Sequence, residues 1–98
     1  MDEPILTILE ARVPKERWAE LRERYQKLAE QERPPERLSG MLAQSADDPE
    51  VWHGLSVWRS AAALQAYRAR VEVPAGLKLF REIAGEVTLR RFAVRAQD

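Results

Sequence analysis

The 98-residue chain has no cysteine and a single histidine, His53. Without thiols there is no disulfide, iron–sulfur cluster, thiolate zinc site or thiol nucleophile, and one imidazole does not build a multi-histidine metal centre. Asparagine is absent too, and arginine outnumbers lysine 13 to 3, a bias that fits a GC-rich or heat-adapted source. Neither sign of charge prevails: 16 basic and 16 acidic side chains cancel, which removes the positive surplus that nucleic-acid binding draws on. No apolar run approaches the roughly 18 residues of a membrane span. Met1-Asp2-Glu3-Pro4 is acidic where a secretory signal is basic, so the expected compartment is the cytoplasm, with no membrane partner. A glycine-rich phosphate loop is missing and neither Ser39 nor Ser60 sits in a nucleophile elbow, which excludes nucleotide-binding enzymes and serine hydrolases. Asp47-Asp48-Pro49 reads as a turn, since further oxygen ligands at calcium-loop spacing are lacking.

With 45% hydrophobic and 33% charged residues, the composition is globular and its length suits one domain, residues 1–98. A chain this small hides roughly 65% of its unfolded surface, enough for one modest core. Ile5 to Val13 is rich in β-branched and aliphatic residues and predicts a strand ending at Pro14. Trp18, Leu21, Tyr25 and Leu28 then recur at steps of three and four, predicting an amphipathic helix over about 15–32 that Arg33-Pro34-Pro35 breaks. Leu38 to Ser45, in which Gly40 marks a bulge or a close backbone approach, and Glu50 to Arg59 predict an antiparallel hairpin. Ser60 caps a helix over 61–72, Val73-Pro74 interrupts it, and a second short helix carries Leu77, Phe80 and Ile83 before Gly85. Glu86 to Arg95 predicts a last strand. The order β-α-β-β-α-β is the α+β ferredoxin-like arrangement, a four-stranded antiparallel sheet with helices on one face.

Alternation along the strands separates Leu6 and Ile8 from Thr7, Leu9, Ala11 and Val13, and Val51, His53, Leu55 and Val57 from Trp52, Gly54, Ser56 and Trp58. Both faces are apolar, whereas a sheet with one solvated face shows polar residues at every second position. Helices cover one face; the simplest cover for the other is a second copy of the sheet, which predicts a homodimer.

Asp48-Pro49-Glu50-Val51-Trp52, Ser56-Val57-Trp58-Arg59-Ser60, Ala63-Leu64 and Tyr67, with Ser39-Gly40-Met41-Leu42 and the terminal Arg91-Phe92-Ala93-Val94, resemble the antibiotic biosynthesis monooxygenase (ABM) family over nearly the whole chain. That resemblance implies a dimeric α/β barrel of ferredoxin-like subunits with a ligand cleft between helices and sheet. It further implies oxygenation of a small electron-rich aromatic, a quinol or anthrone-like molecule, by dioxygen with no flavin, metal or other cofactor. The family's haem-degrading branch relies on an Asn, a Trp and an iron-ligating His; the positions matched here hold Glu10, Tyr67 and Leu77, and Leu cannot ligate iron.

Glu10, following Leu6 and Ile8, is the carboxylate expected near an apolar pocket, where it would accept a proton from a phenol or quinol. The structural alternative is a strand-end pair with Arg90. His53, the one side chain that ordinarily titrates near neutrality, is the second candidate base, or else a hydrogen-bonded core or interface residue. Tyr25, Trp58 and Tyr67 are candidate pocket walls for a flat aromatic ligand, with core packing as the alternative, above all for Trp58. Arg90, Arg91 and Arg95 make the last strand basic. The contrasting functional expectation is a non-catalytic dimeric module that binds a small hydrophobic ligand or serves as an interaction domain.

Overall fold

Alternating aliphatic residues make Ile5–Arg12 a strand, β1, whose Thr7 and Ala11 are buried while Arg12 is exposed; the computed structural model describes residues 3–98. Pro14 pre-sets the backbone for a single 3-10 turn, Lys15–Arg17, and the chain then winds into α1, Trp18–Gln31. Leu21 is fully buried on its inner face. After the two prolines come β2, Arg37–Gln44, and β3, Val51–Trp58. Ser60 accepts a hydrogen bond from the Ala63 N–H (3.0 Å) and starts α2, Ala61–Arg70. Pro74 precedes α3, Ala75–Ala84, and Gly85, at φ +83°, ends it. The last strand is β4, Thr88–Ala93.

The strands form one antiparallel sheet in the order β2-β3-β1-β4, the ferredoxin-like α+β fold expected from the sequence. The two helical segments expected after β3 are full helices, and β4 is shorter than the expected 86–95. The β2–β3 register shifts between Arg37 and Ser39, so the irregularity falls at Leu38. Gly40 stays in register opposite Ser56, and a Cβ there would make ordinary contact with the Tyr25 hydroxyl, 3.4 Å away.

Two cores form on the helix-covered face. The larger joins Ala11, Val13, Leu21 and Trp52 to Leu79, Phe80 and Ile83 of α3; the smaller joins Trp58 to Leu64 and Tyr67 of α2. In the first, the Trp18 indole N–H donates to the Val13 carbonyl (2.8 Å). The opposite face carries Leu6, Ile8, Leu55, Val57, Met41 and Phe92, placed together by the register; Met41 is 54% and Phe92 44% exposed. No helix among the described residues is long and apolar enough to cross a membrane.

Leu21→Ala leaves a hole in the larger core and is expected to cost about 2–5 kcal/mol. Ser60→Ala removes one cap and costs about 1 kcal/mol. Urea unfolding midpoints of the two variants check both values and their order.

Candidate functional site

The two cores do not meet, and between them lies a largely apolar cavity of about 80 Å³. Its floor is Thr7 and Leu9 of β1 with Gly54, Ser56 and Trp58 of β3. A Cβ on Gly54 would stand 3.2 Å from the Phe80 ring, tight enough that the ring would have to shift by a few tenths of an ångström at the cavity edge. Trp58 and Tyr67 stack obliquely, ring centroids 4.9 Å apart. The Trp58 indole N–H is used by the Thr7 hydroxyl (3.0 Å), which leaves the ring as an apolar wall. From α1, Tyr25 and Leu28 close the opposite side, and Leu77 and Phe80 of α3 complete it.

Polarity gathers where α1 meets β2. Burial pushes the phenols of Tyr25 and Tyr67 above their ordinary range; for Tyr67 the Ala75 backbone opposes the rise, and for both the positive charge of Arg37 does so. Both therefore remain neutral hydroxyls at neutral pH, able to donate to a ligand oxygen. Glu32, at the end of α1, and Arg37, at the start of β2, line the same end, and Arg37 donates to the Glu32 carbonyl (3.0 Å).

Of the side chains singled out in the sequence, Tyr25, Trp58 and Tyr67 line this cavity. Glu10 and His53 are brought together, but elsewhere. They are register partners of β1 and β3, and His53 Nε2 donates to Glu10 Oε1 (2.9 Å). Their neighbours Leu9, Ala11, Trp52 and Gly54 face the helices, so this pair lies on the other face of the sheet. Glu10, expected near an apolar pocket, does not line this cavity: strand parity puts it with Leu6 and Ile8, and it borders instead an open groove with Arg81 and Ala84 at the end of α3. Arg90 is opposite Ile8 and makes no ion pair among the described residues. No group of three or more potential metal ligands occurs among them. Sequence reasoning missed Glu32 and Arg37. Glu32 follows Tyr25 and Leu28 at steps of three and four on one helix stripe, a signal that could have found it. Arg37 lies at a strand entrance next to an irregularity, where alternation gives no direction.

Residues 4–79 match the family described as antibiotic biosynthesis monooxygenase. No curated protein matches the chain. Among solved structures, a cofactor-independent oxygenase from Streptomyces nogalater is similar over 97% of this chain and 96% of its own, at 17% identity and a TM-score of 0.73. A heme-degrading protein from Mycobacterium tuberculosis is similar over 100% of this chain and 98% of its own, at 23% identity and a TM-score of 0.74. A conserved protein from Methanosarcina mazei is similar over 93% and 92%, at 16% identity and a TM-score of 0.75. At these identities the likeness is one of fold. Haem does not suit the residues present: Leu77 in the cavity wall offers no ligand atom, and 80 Å³ is a fraction of the roughly 300–1,000 Å³ of cofactor pockets.

An ionic strap holds α2 beside this polar end. Arg70 grips Glu36 through both carboxylate oxygens, at 2.9 Å on one of them, and its guanidinium lies 5.6 Å from the centre of the Tyr67 ring. The hydrogen-bonded Arg70 holds the Glu36 carboxyl down at about 2. Because the folded-state value is the depressed one, the pair's stabilisation is full above the unfolded value near 4.5 and is lost as pH falls towards 2. Carboxylate-resolved NMR titration is expected to place Glu36 near 2, and Arg70→Ala to return it towards 4.5.

Proposed function

The chain belongs to the antibiotic biosynthesis monooxygenase family, and from that premise we propose that it is a cofactor-independent monooxygenase that oxidises a small electron-rich aromatic, quinol or anthrone-like, with dioxygen. One observation carries the reading: an aromatic-walled cavity whose polar end combines two neutral phenols with a carboxylate, Glu32. Glu32 takes the role expected of Glu10 and accepts the substrate's hydroxyl proton. Tyr25 and Tyr67 donate to the oxygen that becomes anionic, and Trp58 holds the ring flat. The anion passes one electron to dioxygen, giving a substrate radical and superoxide. These combine at a ring carbon as a peroxide anion, which takes back the proton held by Glu32 to become a hydroperoxide and then loses water to leave a carbonyl. One oxygen atom ends in the product and one in water, so a quinol yields a hydroxyquinone. The protein contributes desolvation, orientation and anion stabilisation.

The small volume and largely apolar lining favour a second reading, a non-catalytic module that binds a small hydrophobic ligand. The adjoining groove of about 450 Å³, which shares Tyr25, Ala29 and Arg37 with the cavity, supports the enzyme by giving a ring room to lie partly outside.

The active assembly is a homodimer joined through the open sheet faces. The chain exposes 6737 Å², against roughly 5,700 Å² for a folded monomer of its mass. That excess resembles the ~800 Å² per partner of a standard interface, and the apolar face around Ile8 is where a twin would remove it.

Oxygen uptake with a panel of quinols and anthrones tests the reaction. The wild type is expected to exceed background, Glu32→Gln to lose about 100-fold or more, and Glu10→Gln to keep most of the rate. No uptake, with ligand still bound, establishes the binding module instead. Sedimentation tests the assembly: the wild type is expected to run as a dimer and Ile8→Arg, central on the open face, as a monomer.

A further inference from the structure

The groove beside the cavity is basic. To Arg37 it adds Arg33 and Arg59. All three guanidiniums are anchored on main-chain carbonyls: Arg33 Nε donates to Ala29 O (3.2 Å), an Arg37 Nη to Glu32 O (3.0 Å) and Arg59 Nε to Pro35 O (2.7 Å). None of the three meets a carboxylate among the described residues, whereas Arg12, Arg17, Arg24, Arg70 and Arg95 all do. A guanidinium has five N–H donors and no acceptor, so each keeps donors after its carbonyl contact, in a fork that matches an oxyanion. The nearby acids do not balance them. Glu36 is taken by Arg70, which leaves Glu32 against these three cations and Arg68, which also lines the cavity. In a chain of zero net charge this excess is local, and it sits where the groove adjoins a largely apolar cavity.

We propose that this groove is an anion subsite continuous with the cavity, and that the ligand is an aromatic ring bearing a carboxylate. The ring lies between Trp58 and Tyr25, and the carboxylate sits on Arg37 with Arg33 and Arg59 beside it. The inference rests on the cavity being the ligand site, as in the function proposed above, and not on the oxygen chemistry.

Benzoate and benzyl alcohol, matched in ring and differing in charge, separate the two claims when their binding is followed by tryptophan fluorescence and calorimetry. Benzoate is expected to bind about tenfold tighter at low salt, with the advantage shrinking as salt rises. Arg37→Gln is expected to bring benzoate down towards the affinity of benzyl alcohol, while Arg37→Lys keeps part of the advantage through charge without the fork. Arg33→Gln, which spares the Glu32 carbonyl contact, weakens benzoate alone, and Arg95→Gln alters neither ligand. Equal affinities, no binding of either ligand, or undiminished benzoate binding in folded Arg37→Gln and Arg33→Gln overturns the proposal. Oxygen uptake is not part of this readout, so a protein that prefers benzoate yet consumes no oxygen refutes the oxygenase reading and leaves the subsite standing.

Discussion

The contact between the Phe80 ring and the bare backbone of Gly54 is the tight point at which α3 and the larger core meet the central strand. Because position 54 has no Cβ to collide at 3.2 Å, α3 can lay an aromatic ring on the central strand β3 and, with Leu79 and Ile83, complete the larger core around Leu21. Trp58, on the same face of β3, is then left for α2 to cover with Leu64 and Tyr67. The cavity is the seam between the footprints of two helices on one sheet. Both of its ends are fixed by tight aromatic packing, and a larger residue at position 54 would move one of them.

The seam is also sorted by polarity. The indole N–H of Trp58 is satisfied inside the wall by Thr7, so the aromatic surfaces offer a ligand shape and dispersion but no competing donor. Hydroxyl, carboxylate and guanidinium groups meet at the end where α1 stops and β2 begins. A flat ligand with a single polar edge has one favourable orientation in such a site. That suits a reaction in which the protein supplies geometry and dielectric while the substrate supplies the electrons.

Much of this arrangement can be read along the chain, for physical reasons particular to each element. Period-two alternation correctly grouped Trp52, Gly54, Ser56 and Trp58 on one face, and the three- and four-residue steps of α1 and α2 brought Tyr25 and Tyr67 inward. Alternation fails where both faces of a strand are apolar: it says that Glu10 shares a side with Leu6 and Ile8, but not which side the helices will choose. That choice is settled by contacts far apart in sequence, such as the one between Gly54 and the Phe80 ring 26 positions on. The three groove arginines are equally hidden. Their roles follow from carbonyls at the ends of α1 and in the turn before β2, and nothing in the spacing of Arg33, Arg37 and Arg59 announces that those carbonyls converge.

The division of the interior into a large and a small core makes the molecule mechanically uneven. α2 buries only Leu64 and Tyr67 and is otherwise tied down by the exposed strap from Arg70 to Glu36, whereas the sheet and α3 share the larger cluster. Local opening is cheapest where the fewest buried contacts are lost, so α2 is the helix expected to loosen before α3 and the sheet. The side of the cavity that α2 supplies through Leu64 and Tyr67 is therefore the wall held by the least buried surface.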